Sequence, residues 1–317
     1  MYGSRTSYTG NRKFHRRIAI GVALGIAAST IGVTSATAKV SKPFPVKIKT
    51  AIGVVTIKQA PRAIISLSPS ATEILFAIGA GKQVIAVDDQ SNYPANAPRS
   101  KLSGYTPNLE AIAAMHPDLV VDANDNSGGV VLSTGLGKLG ITTLNQPAAD
   151  KLSDTYSQIT ALGAATGHSM QASRLVVKMK KRIAAAVASV ATKGKAFTFF
   201  HELDNTLYSA TSNTFIGRAY AAFGLKNIAD AAAGADKSGY PQLTTEYLVS
   251  ANPDLIFLSD AQYGESVATV KARAGFGALK AVQNGGVIAL PADYPSRWGP
   301  RIANFYEFIA RQIKKLG

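Results

Sequence analysis

Twice along this chain a short helical pattern opens on an acid, stops at a proline and passes into an apolar run. The two stretches are NLEAIAAMHPDLVVDA (108–123) and TTEYLVSANPDLIFLSD (244–260). Glu110 precedes Pro117-Asp118-Leu119 by seven positions, and Glu246 precedes Pro253-Asp254-Leu255 by the same seven. An acid in a helix's first turn faces the positive end of the helix dipole. Proline disfavours helix in the residue before it, and a short apolar run bounded in this way reads as a buried strand. One such unit is ordinary. Two with matched spacing favour a duplicated α/β architecture.

The rest of the chain keeps the same rhythm. AIISLS (63–68), VIAVDD (84–89), DLVVDA (118–123) and ITTLNQ (141–146) read as strands, with helices over 70–79 and 108–116 and a weaker helix before 141. The second half restarts with a strand at 195–203 and a helix at 213–224. The helix 244–252, strand 254–260, helix 276–285, strand 287–292 and an amphipathic helix at 299–316 follow. Alternation of this kind predicts parallel sheets covered by helices. Between the halves, DTYSQITALGAATG (154–167) reads as one helix ended by Gly167. A second stretch, rich in Ala, Lys and Arg, then runs without Pro or internal Gly to about 192. Its helix propensity is high, and its place predicts a connector between two lobes. The expected organisation is a lead-in at 39–60, polar and Lys-rich, a lobe at 61–167, a connecting helix at 168–192 and a second lobe at 193–317.

Residues 1–38 have the parts of an export signal: a basic stretch ending at Arg17, an apolar stretch at 18–33, and Ala36-Thr37-Ala38 as a cleavage site before Lys39. An uncleaved anchor is the other use of such a stretch, and its Gly, Ser and Thr residues argue against that. The expected location is periplasmic or extracellular. The formal charge is +15, and Arg5, Arg12, Lys13, Arg16 and Arg17 of the leader carry part of it, leaving +10. The remaining cations are scattered, densest at Lys178, Lys180, Lys181 and Arg182 on one helix. That reads as a solvated helix face, not a nucleic-acid footprint, and the excess suits anionic surfaces or acidic ligands. Cysteine is absent, which excludes disulfides, thiolate metal sites and a thiol nucleophile.

Little in the chain promises catalysis. GLGKLG (135–140) matches a dinucleotide fingerprint but precedes its strand instead of following one. The histidines lack metal-ligand spacing. His116 reads as a helix-end residue and His168 as an interhelical one. His201, beside Glu202, is the single candidate for an exported enzyme on a two-lobe scaffold. A direct Zn or Mn site would need more ligands than this.

Aromatic residues instead gather in loops after strands: Tyr93, Tyr105, Tyr208, Tyr240, Tyr294 and Trp298. Open α/β sheets bind ligands outside the carboxyl ends of their strands, and Tyr and Trp offer flat contact area with a polar tip. Drawn from both halves, these six suggest a cleft lined for a large, partly flat ligand, with Arg301 close by for an acidic group on it.

The chain resembles the ABC-importer solute-binding proteins for iron complexes and cobalamin. The resemblance is carried by SLSPSATEILFAIGAG (66–81), DDQSNYP (88–94), NLEAIAAMHPDLVV (108–121), YPQLTTEYLVSANPDLIFL (240–258) and SRWGPR (296–301). It implies two α/β lobes joined by one long helix with the ligand cleft between them. It also implies no enzymatic activity and no cofactor, with a metal chelate as cargo: cobalamin or another corrinoid, a ferric siderophore, or haem. SNYP and the aromatic of YPQ resemble the cobalamin branch, and Tyr105 stands where haem-binding relatives place an axial tyrosine. By motif position, Glu110 and Glu246 resemble the paired glutamates that meet arginines of a permease dimer. The expected partners are that permease and the chelate, with no nucleic acid, and the chain is expected to be a monomer.

Overall fold

The computed structural model describes residues 44–123, 127–190, 197–232, 234, 238–291 and 293–315. The leader at 1–38 lies outside the described residues, as do 39–43 of the lead-in and 191–192 of the connecting stretch. Residues 42–317 form one compact unit.

The chain opens with an antiparallel hairpin, β1 (Val46–Thr50) and β2 (Gly53–Ile57). The sequence reading assigns no strand to this lead-in. Its lysines hide a period of two: Val46 and Ile48 turn inward while Lys47 and Lys49 stay exposed.

The N-terminal lobe contains β3 (Ile64–Leu67), α1 (Pro69–Ala77), β4 (Val84–Val87), α2 (Leu109–Ala113), β5 (Leu119–Asp122), α3 (Ser127–Lys138) and β6 (Thr142–Asn145). Two helices then connect the lobes, α4 (Leu152–Thr166) and α5 (Ser169–Ala188). The C-terminal lobe contains β7 (Thr198–Glu202), α6 (Phe215–Ala221), β8 (Lys226–Asn227), α7 (Thr245–Ala251), β9 (Leu255–Leu258), α8 (Val267–Ala272), α9 (Lys280–Gln283), β10 (Val287–Ala289) and α10 (Ile302–Lys315). The helices start where side chains can cap them. Ser68, with Pro69 behind it, accepts from Ala71 N; Asn108 accepts from Ala111 N and Thr244 from Tyr247 N.

Each lobe holds a four-stranded sheet with every pairing parallel. The N-terminal order is β4-β3-β5-β6 and the C-terminal order β8-β7-β9-β10. Both are second-first-third-fourth, so the duplication read from two short motifs extends to whole-lobe topology. The repeated Pro-Asp-Leu has a structural reason. Asp118 Oδ2 accepts from Arg62 N and Ala63 N at 2.7 and 3.0 Å, and Asp254 Oδ2 accepts from Thr198 N and Oγ1 at 2.9 Å each. In both lobes this carboxylate ties the start of the third strand to the start of the first, across 56 positions. His116 and Asn252, each directly before the proline, take positive φ of 49° and 45° and turn the chain out of its helix.

Alternate strand residues feed different cores. Ile64, Leu119 and Val121 join Phe199 and Phe257 in one apolar cluster, together with Met179, Ile183 and Ala186 of α5 and Ile309 of α10. The opposite sheet faces bury separately, with Ile65 and Val120 in one cluster and Phe200, Ile256 and Leu258 in another. A continuous core therefore crosses from lobe to lobe through α5. α4 packs closely on α5 at Gly163, where an added Cβ would sit 2.4 Å from the Ala172 Cβ. On the other side Arg182 makes a bidentate pair with Glu307 of α10 at 2.7–2.8 Å. Wide opening would shear this shared core, whose burial stabilises by roughly 25 cal/mol per Å2. Ligand-free and ligand-bound crystal structures should therefore differ by modest lobe rocking, and a rotation of tens of degrees would contradict the argument.

Candidate ligand-binding cleft

In a second-first-third-fourth sheet the direction of strand connection reverses between the first and third strands. These are β3 and β5 in one lobe and β7 and β9 in the other. Ligands of open α/β sheets sit outside the carboxyl ends at that point. α5 lies at the opposite ends. The turn before β4 meets the junction of α4 and α5, where Gln83 Nε2 donates to Thr166 O at 3.3 Å and a Cβ added at Gly79 would lie 3.7 Å from the ring of His168, the N-cap residue of α5.

On the N-terminal side the loop after β4 is fixed by a buried polar chain. Thr72 Oγ1 donates to Ser66 Oγ and meets Ser91 Oγ, both at 2.9 Å, and Ser91 donates to Asp88. Burial pushes the Asp88 carboxyl up to about 6. Gly104 passes so close that a Cβ would lie 2.6 Å from Leu67 O and 2.7 Å from Asp88 Oδ2. That glycine lays the next residue, Tyr105, over the carboxyl end of β3 with 90% of its surface exposed.

Tyr93 and Arg301 meet across the lobes. The Arg301 guanidinium carbon lies 4.5 Å from the Tyr93 ring centroid and 6.0 Å from that of Tyr294. Arg301, expected near an acidic group on the ligand, already has acid partners within the protein. Its Nη2 bonds Glu73 Oε1 of α1 at 2.5 Å and lies 3.6 Å from Asp293 Oδ2, while Asn92 Nδ2 donates to that same oxygen at 2.9 Å. Burial pushes Glu73 up, and the Arg301 hydrogen bond opposes the shift. Arg301 is therefore a seam residue, and with Phe76, Tyr93, Arg182 and Asn304 it lines a cavity of about 470 Å3. Trp298 is half-buried next to Gly299, whose Cβ would fall 3.2 Å from Glu73 Oε2. Tyr294 packs against the main core behind the seam.

Tyr208 and Tyr240 come together in the C-terminal lobe. Ser209 N donates to Pro241 O at 2.9 Å, and Tyr208 bridges to Gln242. Burial, and then the nearby Asp150 carboxylate in the segment before α4, push the Tyr240 phenol up. The sequence reading overlooks three contributors. Glu73 and Asp293 form the seam. Tyr263, 83% exposed in the turn after β9, fits the same aromatic-after-strand rule as the six chosen residues.

His201 and Glu202 are both fully buried. Burial pulls the His201 imidazole down to about 3, and its Nδ1 bonds the Tyr220 hydroxyl at 2.9 Å. Glu202 makes a bidentate pair with Arg273 at 2.7 Å. Neither is open to a substrate, so the enzyme alternative loses its acid–base pair.

Glu110 and Glu246 are exposed, each two residues past its helix cap, on the helix that leads into the third strand of its lobe. Among the described residues no helix is long and apolar enough to cross a membrane, and no cluster of three or more His, Cys, Asp or Glu is placed to hold a metal ion.

Residues 64–294 match the family described as periplasmic binding protein. The chain belongs to that family. As a member it serves ABC import as the solute-binding component. Among curated relatives, this periplasmic binding protein is 32% identical to the ABC transporter substrate-binding lipoprotein YvrC of Bacillus subtilis, over 85% of this chain and 86% of that one. It is 30% identical to a cobalamin-binding protein of Halobacterium salinarum, over 78% of this chain and 68% of the other. Among solved structures, the periplasmic vitamin B12-binding protein BtuF of Vibrio cholerae superposes with a TM-score of 0.65. It is 26% identical, and the match covers 81% of this chain and 98% of that one.

Proposed function

We propose that this protein captures a metal chelate, a corrinoid of the cobalamin class first and a ferric siderophore second, between its lobes outside the cytoplasm and delivers it to a permease dimer. The observation that carries the reading is the set of exposed aromatics at the carboxyl ends of both sheets: Tyr93 and Tyr105 from one lobe, Tyr208 and Tyr240 from the other. A corrin macrocycle presents two broad faces that such residues cover, and the relatives named for cobalamin and vitamin B12 support the choice. Haem is the second reading, favoured by the exposed phenol of Tyr105. In this reading Tyr294 and Arg301 shape the seam behind the ligand, and Trp298 lies at its edge.

Titrating the protein with cyanocobalamin, ferrichrome and haemin, by calorimetry and by Trp298 fluorescence, tests the proposal. Saturable one-to-one binding of the corrinoid is expected. Binding of none of the three would overturn it, and haemin alone would shift it to the second reading. Tyr105→Ala and Trp298→Ala should each weaken the interaction by about 1–3 kcal/mol, the range for truncating a large contact. Unchanged affinity in both would remove these residues from the cleft.

A further inference from the structure

The helix α5 carries a basic face that nothing in the solute-binding role uses. α5 contributes Arg174, Lys178, Lys180 and Lys181, all exposed. Two grooves flank this helix. One brings Lys47 and Lys49 of β1 next to Lys180, and the other brings Arg311 and Lys314 of α10 next to Lys181. The cations thus form one surface built from three separate elements. The acids on the hairpin, α4, α5 and α10 are Asp154 and Glu307, and Glu307 is taken by Arg182 at 2.7 Å. Among the described residues that is the single ion pair on this face.

The same outer row of α5 carries two apolar side chains that stay mostly exposed. Met170 is 63% exposed and Val177 is 67% exposed. With Arg174, Lys178 and Lys181 they fall at helical spacing on one side, Met170-Arg174-Val177-Lys178-Lys181. A soluble polyanion would be met by the cations alone. Cations interleaved with exposed apolar side chains suit a bilayer surface, where charge meets anionic headgroups and the apolar groups enter the interfacial layer.

We propose that this face rests reversibly on an anionic phospholipid bilayer. Salt-sensitive electrostatics suit such a reversible hold.

Vesicle sedimentation of residues 42–317, the compact unit, tests this. The expected result is binding to phosphatidylcholine vesicles containing about 30% phosphatidylglycerol at about 50 mM salt, little binding to pure phosphatidylcholine, and release by about 500 mM salt. The triple variant Lys178→Gln, Lys180→Gln, Lys181→Gln should lose about tenfold or more in affinity. Met170→Ser with Val177→Ser should weaken vesicle binding severalfold while leaving binding to inorganic polyphosphate unchanged. Failure of the wild type to bind anionic vesicles, or full binding by the triple variant, would overturn the proposal. Unchanged vesicle binding by the serine pair, with polyphosphate competing fully, would assign the face to a soluble polyanion instead. Retained thermal unfolding of each variant separates these outcomes from misfolding.

Discussion

Arg273→Met is expected to destabilise the protein by about 3–5 kcal/mol at pH 8, the usual cost of stranding one partner of a buried ion pair. Glu202 is fully buried at the end of β7, and Arg273 bonds both of its oxygens at 2.7 Å. A third 2.7 Å bond from Arg273 holds Glu265 in the segment after β9. Removing the guanidinium leaves a desolvated carboxylate and frees the segment that carries Tyr263. The effect should depend on pH with a definite sign. Burial already pushes Glu202 up to about 6, with Arg273 holding it down. A carboxyl raised in the folded state stabilises fully below its unfolded pKa, and that contribution is lost as pH rises through the folded value. Asp88, also raised to about 6, acts in the same direction. His201, pulled down to about 3, acts oppositely, its contribution present above about 6.5 and lost as pH falls toward 3. Without Arg273 the Glu202 value climbs further, so the variant's deficit should shrink toward pH 5 and grow toward pH 8. Urea unfolding at both values measures it. Arg273→Met combined with Glu202→Gln should recover most of the loss, because the charge has gone. A single variant within about 1 kcal/mol of wild type at pH 8 would show that the pair carries little of the lobe's stability.

The duplication was legible because its signals are local. An acid in a first turn, a proline and an apolar run each act within a few residues, so two αβ units could be aligned by eye. The Asp118 and Asp254 ties were not legible, although both residues lay inside the motif. Their acceptor role depends on the first strand, 56 positions upstream. The hairpin at Val46–Ile57 is masked in the sequence because lysines alternate with its inward residues. Aromatic-after-strand reasoning picks out loop residues but cannot rank them. Tyr105 is exposed on its glycine turn, whereas Tyr294 is partly buried against the core. Sequence cannot show that Arg301 also bonds Glu73, 228 positions away. His201 and Glu202 looked chemical for the same reason, since burial is what turns them into structural groups.

Exchanging both Glu110 and Glu246 for arginine is expected to abolish solute uptake while ligand affinity stays within about twofold of wild type. We propose these two carboxylates as the contacts to a permease dimer, one per lobe, and the repeat supports the assignment. Each is the second residue after a capped helix start, and each helix leads into the third strand of sheets that share one topology. The two therefore hold equivalent places in equivalent lobes, and a dimer with one basic patch per subunit would meet them in matching ways. The first-turn dipole alone would also favour acids there, so position does not separate docking from helix stability. The variants do. Glu246 is exposed, and its own backbone and Thr244 hold its carboxyl below the ordinary value, so it is charged at neutral pH. Removing an exposed first-turn charge costs a helix at most about 1 kcal/mol, too little to unfold a lobe. Paired alanines should therefore slow transport through a lower association rate. Paired arginines should stop it, because like charges would then face each other across the interface. Transport in vesicles reconstituted with the cognate importer, read beside ligand titration of the same protein, distinguishes the cases. Normal uptake by the double arginine variant would remove the docking role. Lost ligand affinity in the double alanine variant would move these glutamates to the cleft, although both stand on the outer helices that precede β5 and β9.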